Sequence, residues 1–339
     1  MTEADNIQRW DGARRGFYEV WYLTLSHRPS QTGFWIRYTL ESPLHEPPYA
    51  QLWFARFDAR DPDHPFGIHQ RVPATALHGQ ARPFSVRIGA SELTHGRARG
   101  QIAGAGHEAA WDLAWQPSAT THHHLPGTMY RRGGLGETTV LSPNLDIALH
   151  GTITVDGQRY ELAGEPGGQT HVWGRKHAHS WAWAHCNAFA GRPGACLEAL
   201  SVNLVRAGVP LPRLTLFSLY LDGRCHRFTG FRQLLATGGD YAPGRFSMRG
   251  RSADLRIEAS FTCRPEEMLL APYMDPDGAP CWCANTEIAD VRVVVEERDT
   301  GPGRAWRTRD VLEAPRLGHF EVGSHTRWHG VHAEHVPVS

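Results

Sequence analysis

The chain has 339 residues, and its 35 basic side chains balance 35 acidic ones, so it carries no basic surplus for a nucleic-acid backbone or an anionic membrane surface. No run of about 18 apolar residues supports a membrane-spanning helix, and the polar, acidic start Met1-Thr2-Glu3-Ala4-Asp5 does not read as a signal peptide, so no membrane insertion and a cytoplasmic location are expected. Lys176 is the sole lysine and sits in no Gly-Lys-Ser/Thr loop, which removes P-loop phosphate chemistry.

Length beyond the ~250–300 residues at which one core stops growing favours two domains. From the N-terminus, Phe17, Glu19, Trp21, Leu23 and Leu25 share one face of a period-two run. Phe34, Ile36, Tyr38 and Leu40 share a face in the next run, Trp53, Ala55 and Phe57 in the one after, and Ala109, Trp111, Leu113 and Trp115 in a fourth. Glu19, set among Phe17, Trp21 and Leu23, is a candidate inward carboxyl. Gly104-Ala105-Gly106-His107-Glu108-Ala109 matches G-x-G-x-x-A but lacks the strand before it and the helix after it, so it reads as a turn between strands near 97–103 and 108–116. The triplet His122-His123-His124 reads as an exposed polar tract, because consecutive side chains in a loop cannot all face one ion. Asp156-Gly157 joins runs 145–155 and 158–163, and Asp222-Gly223 joins 214–221 and 224–229. Both are tight hairpin turns. Glu165-Pro166-Gly167-Gly168 marks the domain boundary, dividing 1–165 from 166–339, with the loop at 131–136 as a competitor.

The informative stretch follows. Trp181, Trp183, His185, Asn187 and Phe189 share one strand face, while the other carries Ser180, Ala182, Ala184, Cys186 and Ala188. Such a strand looks like a wall whose bulky side lines a cavity, the alternative being a plain core with His185 and Asn187 satisfied by hydrogen bonds. A Gly191-Arg192-Pro193-Gly194 turn in simple register would return Glu198 to the side of Asn187 on the same face. Burial of Glu198 or Glu19 in an apolar cavity would raise its pKa and leave it protonated as a general acid; pairing with arginine is the alternative. The six cysteines, all after residue 185, are expected as buried thiols. The tail histidines His325, His329, His332 and His335 are interrupted by Gly330 and are not expected to hold a metal.

Several of these residues also carry a resemblance. Glu19-Val20-Trp21-Tyr22, Gly151-Thr152-Ile153 with Asp156-Gly157-Gln158-Arg159-Tyr160, Gln169-x-His171-x-Trp173-Gly174, and Trp181-x-Trp183-x-His185-x-Asn187 resemble motifs of the AttH-like and carotenoid hydratase (hydroxyneurosporene synthase) proteins, to which tocopherol cyclases are similar. Tyr273-x-Asp275-Pro276-Asp277-Gly278 and Asn285-Thr286-Glu287 resemble that group's C-terminal block. The resemblance implies an all-β protein of two lipocalin-like antiparallel β-barrel domains. It implies cofactor-independent hydration, cyclisation or isomerisation of a largely apolar, isoprenoid or polyketide-like molecule. Glu198 or Glu19 would be the acid, with His185 beside it, and Gln169, His171, Trp173, Trp181, Trp183, Asn187 and Tyr273 would border the substrate. Arg175-Lys176-His177-Ala178-His179 stands where cyclase-type relatives carry Phe-Pro, which departs from a long apolar prenyl channel. Two other classes remain open at this point: a lipocalin-type binding protein for a hydrophobic small molecule, and a cupin-type metal barrel using His177, His179, His185 and Glu198.

Overall fold

The computed structural model describes residues 2–125, 137–206, 208–230, 236–299 and 304–338. The competing boundary at 131–136 lies outside them. Helix among the described residues is confined to Glu3–Asn6 and two single turns, Ala74–Ala76 and Pro265–Glu267.

The first sheet is built from β1 (Phe17–His27), β2 (Thr32–Ser42), β3 (Tyr49–Asp58), β4 (Phe66–Pro73), β5 (Leu77–Ala81) and β6 (Phe84–Ile88). It continues through β7 (Ser91–Thr94), β8 (Arg97–Gly104), β9 (His107–Ala114), β10 (His122–His123), β11 (Thr138–Val155) and β12 (Gln158–Gly174). The second holds β13 (Ser180–Cys186) and β14 (Cys196–Asn203). A separate ribbon, β15 (Val205–Arg206) with β16 (Val209–Pro210), precedes β17 (Leu214–Leu221), β18 (Arg224–Phe228), β19 (Thr237–Ala242) and β20 (Arg245–Arg251). The last strands are β21 (Leu255–Thr262), β22 (Leu269–Met274), β23 (Pro280–Arg298), β24 (Trp306–Ser324), β25 (Ala333–Glu334) and β26 (Val336–Val338).

The all-β expectation holds, but the sheets are not closed into barrels. The first runs β26-β4-β3-β2-β1-β12-β11-β9-β8-β7-β6-β5 and the second β18-β17-β14-β13-β24-β23-β21-β20-β19, with no ladder joining the ends among the described residues. Each curls over its own apolar core, the first around Trp21, Leu23, Phe54 and Trp111, the second around Leu197, Phe217, Phe261 and Val293. The hairpin turns fall where expected. Asp156 and Gly157 have φ of 49° and 78°, and Asp222 and Gly223 have 51° and 72°, the doubly left-handed geometry that matches strand twist.

A third apolar layer lies between the sheets and explains why both faces of β1 and β2 are buried. Tyr18, Val20, Tyr22, Trp35 and Trp53 meet Trp181, Trp183, Leu269 and Cys283 there. The strand β13 is therefore turned the other way round from a cavity wall. Its alanine face packs into the second sheet's own core, and its Trp face looks out at the first sheet. Gly167 and Gly168 are strand residues paired with Leu25 and Thr24. A Cβ on Gly168 would sit 3.3 Å from His185 Nε2, so the glycine permits close approach of the two sheets. The chain passes from the first sheet to the second between Gly174 and Ser180. The C-terminal segment then returns, with β25 parallel to β22 of the second sheet and β26 parallel to β4 of the first.

Candidate active site

The sequence candidates separate into three places. Glu19, Gln169, His171 and Trp173 lie on the first sheet's inner face beneath the N-terminal segment. Glu19 accepts the backbone N–H of Arg9 (2.6 Å) and of Trp10 (2.9 Å), and lies 2.9 Å from His171 Nε2. His171 Nδ1 donates to the Asp5 carbonyl at 2.7 Å and its ring stacks on Trp21. Gln169 exchanges hydrogen bonds with Asn6 and accepts one from Asn144. Arg9 covers the Trp173 ring at 5.0 Å. This arrangement anchors the N-terminal segment with charge-assisted bonds.

Trp181, Trp183, His185 and Glu198 lie in the layer between the sheets. The ladder pairs Glu198 with His185 rather than with Asn187. The register is shifted by two residues, with the longer connection, and an even shift preserves the face. Trp183 Nε1 donates to Glu198 Oε1 at 2.6 Å, His124 Nε2 meets the same oxygen at 2.6 Å, and His185 Nδ1 meets Oε2 at 3.0 Å. Burial pushes the Glu198 carboxyl up, but the bonds from His124 and His185 and their charge outweigh it and hold the group well below the usual carboxylate range. The raised pKa expected of Glu198 is thus reversed, because the groups packed around it are hydrogen-bond donors rather than apolar side chains. The His triplet is also corrected: His122 and His124 are buried at 3% and 2% exposure. His122, on β10, reaches Tyr220, and His124, in the bend just after that strand, reaches Glu198.

Beside this cluster, Glu287 meets Thr24 and lies 3.0 Å from His319 Nδ1, and burial lifts its carboxyl well above the ordinary range. Glu321 accepts the Trp181 indole N–H at 2.9 Å. Asn187, at the rim, donates to Asp146 and to the Gly167 carbonyl.

Tyr273 belongs to the third place, a cavity of about 190 Å³ where β2, β3 and β4 of the first sheet face β22 of the second. Arg37, Glu41, Tyr49, Trp53 and Arg71 supply the first sheet's walls. Glu41 is 6% exposed and its Oε2 has no hydrogen-bond partner among the described residues. Burial pushes its carboxyl up to about 8 against the pull of Arg37, with the negative Asp275 adding to the rise and Arg71 opposing it. Trp53 stands edge-on to Tyr273 at 5.8 Å and stacks on His69 at 4.1 Å. Burial lowers His69 to about 4. Asp275, three residues beyond the cavity residue Pro272, accepts from the His177 backbone N–H and lies 2.6 Å from His177 Nδ1 and 2.7 Å from His325 Nε2. The departing segment at 175–179 is therefore docked on the turn that follows Tyr273, with Lys176 on Asp277.

Sequence reasoning missed Arg37, Glu41, Trp53 and Arg71 as a group. Along β2 the face Trp35, Arg37, Thr39, Glu41 looks like the solvent side of an amphipathic strand, and only the second sheet's contact with it makes it interior. The one available signal was the pair of aromatics, Trp35 and Trp53, on that polar face.

Comparison with known proteins places the chain. The profile of the family described as tocopherol cyclase-like matches residues 84–324. The chain belongs to the tocopherol cyclase-like family. The uncharacterized protein Rv0493c of Mycobacterium tuberculosis is 29% identical over 331 residues, 95% of this chain and 90% of that protein. An AttH-type protein of Nitrosomonas europaea shares the fold with a TM-score of 0.56 at 14% identity, over 91% of this chain and 93% of that one. Kievitone hydratase from Nectria haematococca does so with a TM-score of 0.50 at 8% identity, over 90% and 88%. The family match begins after β4, so Glu198 and Tyr273 lie inside it and Arg37 and Glu41 before it.

Proposed function

We propose that this tocopherol cyclase-like protein carries out a cofactor-independent hydration, cyclisation or isomerisation of a small molecule in the cavity between its sheets, with Glu41 as the proton donor. The observation that carries the reading is a buried carboxyl, pushed up to about 8 by burial, at the wall of a cavity that also presents Trp53 and Tyr273. A group with that pKa is largely protonated at neutral pH and strong enough to donate, the combination general acid catalysis requires. The family description and the fold shared with a kievitone hydratase support this class of chemistry.

In the proposed step the Glu41 O–H proton passes to a carbon of the substrate's double bond. Water or a substrate hydroxyl forms the new C–O bond and gives its proton to the Glu41 carboxylate, restoring the acid. For isomerisation a neighbouring C–H supplies that returning proton. Glu198, ionised and triply hydrogen-bonded, serves in this reading to hold Trp183, His124 and His185 in place.

The test is incubation of the protein with a panel of prenylated phenols and conjugated enones in ¹⁸O-water, followed by mass spectrometry. Hydration adds one labelled water, and cyclisation or isomerisation moves retention time without a mass change. Glu41→Gln should cut turnover by roughly 10²-fold or more with binding retained. Turnover unchanged in Glu41→Gln removes the acid role, and binding without any turnover favours the lipocalin-type carrier.

A further inference from the structure

We infer that the cavity selects carbonyl-conjugated or otherwise enolisable substrates, whose reaction gathers negative charge on an oxygen beside Arg37, over isolated isoprenoid alkenes. This rests on the reading of the cavity as the reaction site. Arg37 is 5% exposed and makes no ion pair among the described residues. Its Nε donates to Thr39 Oγ1 at 3.0 Å, and its guanidinium lies 4.2 Å over the Tyr273 ring and 5.8 Å from the Trp53 ring. A buried guanidinium held only by a hydroxyl and aromatic faces has hydrogen-bonding capacity and charge to spare. Arg71 adds a second cation at the mouth, where it stacks on Tyr49 and pairs with Glu46.

That charge decides between two mechanisms. Protonating an isolated alkene makes a carbocation, which Arg37 in the same cavity repels. Aromatic walls attract a cation, but Arg37 already lies over the Trp53 and Tyr273 rings. Addition to a carbonyl-conjugated alkene reverses the sign. Water or a substrate hydroxyl forms a C–O bond at the β-carbon, the π pair moves to give an enolate, and the enolate oxygen accepts hydrogen bonds from Arg37. Glu41 then gives its proton to the α-carbon, and the nucleophile's proton returns to Glu41. The space fits such a head: a cavity of about 150 Å³ holds a benzene ring, and this one has about 190 Å³.

Benzoate and benzyl alcohol, one ring with and without an anionic oxygen pair, are the binding probes, read by tryptophan fluorescence and by ligand-observed NMR. Benzoate should bind at least about tenfold tighter than benzyl alcohol, a difference of about 1.4 kcal/mol. Arg37→Met should erase the preference and Arg37→Lys should keep part of it. A second arm uses the wild type alone and so does not depend on the folding of a variant. The charged or titratable groups around Glu41 are Arg37 on its own strand, Tyr18 on β1, Tyr49 on β3, Arg71 on β4, Glu46 in the loop between β2 and β3, and Asp275 after β22. Burial places the Glu41 ionisation near 8 and pushes the Tyr18 and Tyr49 hydroxyls well up, so Glu41 gains a negative charge between pH 7 and 9, and benzoate affinity should fall across that range while benzyl alcohol affinity stays level. Equal binding of the two probes, or a benzoate affinity flat in pH, overturns the inference. A benzoate preference together with turnover unchanged in Glu41→Gln would leave the anion site standing and remove the acid reading, so the two failures are distinguishable.

Discussion

At the scale of single residues, the two acids Glu41 and Glu198 have opposite fates because of what surrounds them. Both are buried, and burial raises both. Glu198 collects three donors, including the indole N–H of Trp183, whereas one oxygen of Glu41 collects none. The sign of each pH dependence follows. Glu198, depressed in the folded state, contributes stability that is present above the ordinary carboxylate pKa and lost as pH falls through its lower native value. His124→Ala should therefore cost about 1.5–3 kcal/mol near neutrality, measured by urea unfolding, and the gap to wild type should narrow below pH 4. Glu41, raised in the folded state, contributes stability that is complete below the ordinary pKa of 4.5 and is lost as pH rises through about 8. Turnover should fall along the same basic limb, and Glu41→Gln should abolish that limb.

At the scale of elements, the alternation along β13 was legible and its direction was not. Period two fixes that Trp181, Trp183 and His185 share a face with nothing bulky behind them, but it does not say which face the second sheet keeps for itself. The answer depends on β24, more than 130 residues later in the chain. Gly323, opposite Trp181 in the ladder, is the residue that accommodates the outward Trp: a Cβ there would sit 2.0 Å from the Trp181 ring. Gly323→Ala should destabilise the fold by ~1–3 kcal/mol through overpacking. The double variant with Trp181→Leu should recover part of that loss, a coupling that a double-mutant cycle in urea measures directly. Equal losses in single and double variants would show that the slot is not made for Trp181. The same limit hid the role of the His triplet and of Arg37 and Glu41. Each lies on a strand whose partner layer comes from a remote segment, and short-range pattern reports only that two faces differ.

At the scale of the molecule, the C-terminal segment staples the two sheets beside the cavity. One residue after pairing with β22 through Glu334, the chain pairs with β4 through Val336. His335 between them packs against Trp35 and Trp53, 5.6 and 5.3 Å between ring centroids. Gly67 of β4 is bare where a Cβ would meet His335 at 2.3 Å. Burial lowers His335 well below its ordinary pKa, so the ring is neutral and acts as an aromatic wedge. The connection at 175–179 is a further link between the sheets, and it holds the basic pair Arg175 and Lys176. If the two sheets are separate folding units, ending the chain after residue 332 should leave each core intact, lower the melting temperature, and expose that connection to trypsin. Two stable fragments parted near 175–176 would then appear on a time scale at which the full chain resists cleavage. Digestion of the shortened chain to small peptides without those two fragments would mean that the sheets fold only together, with the Trp-rich layer as their common core.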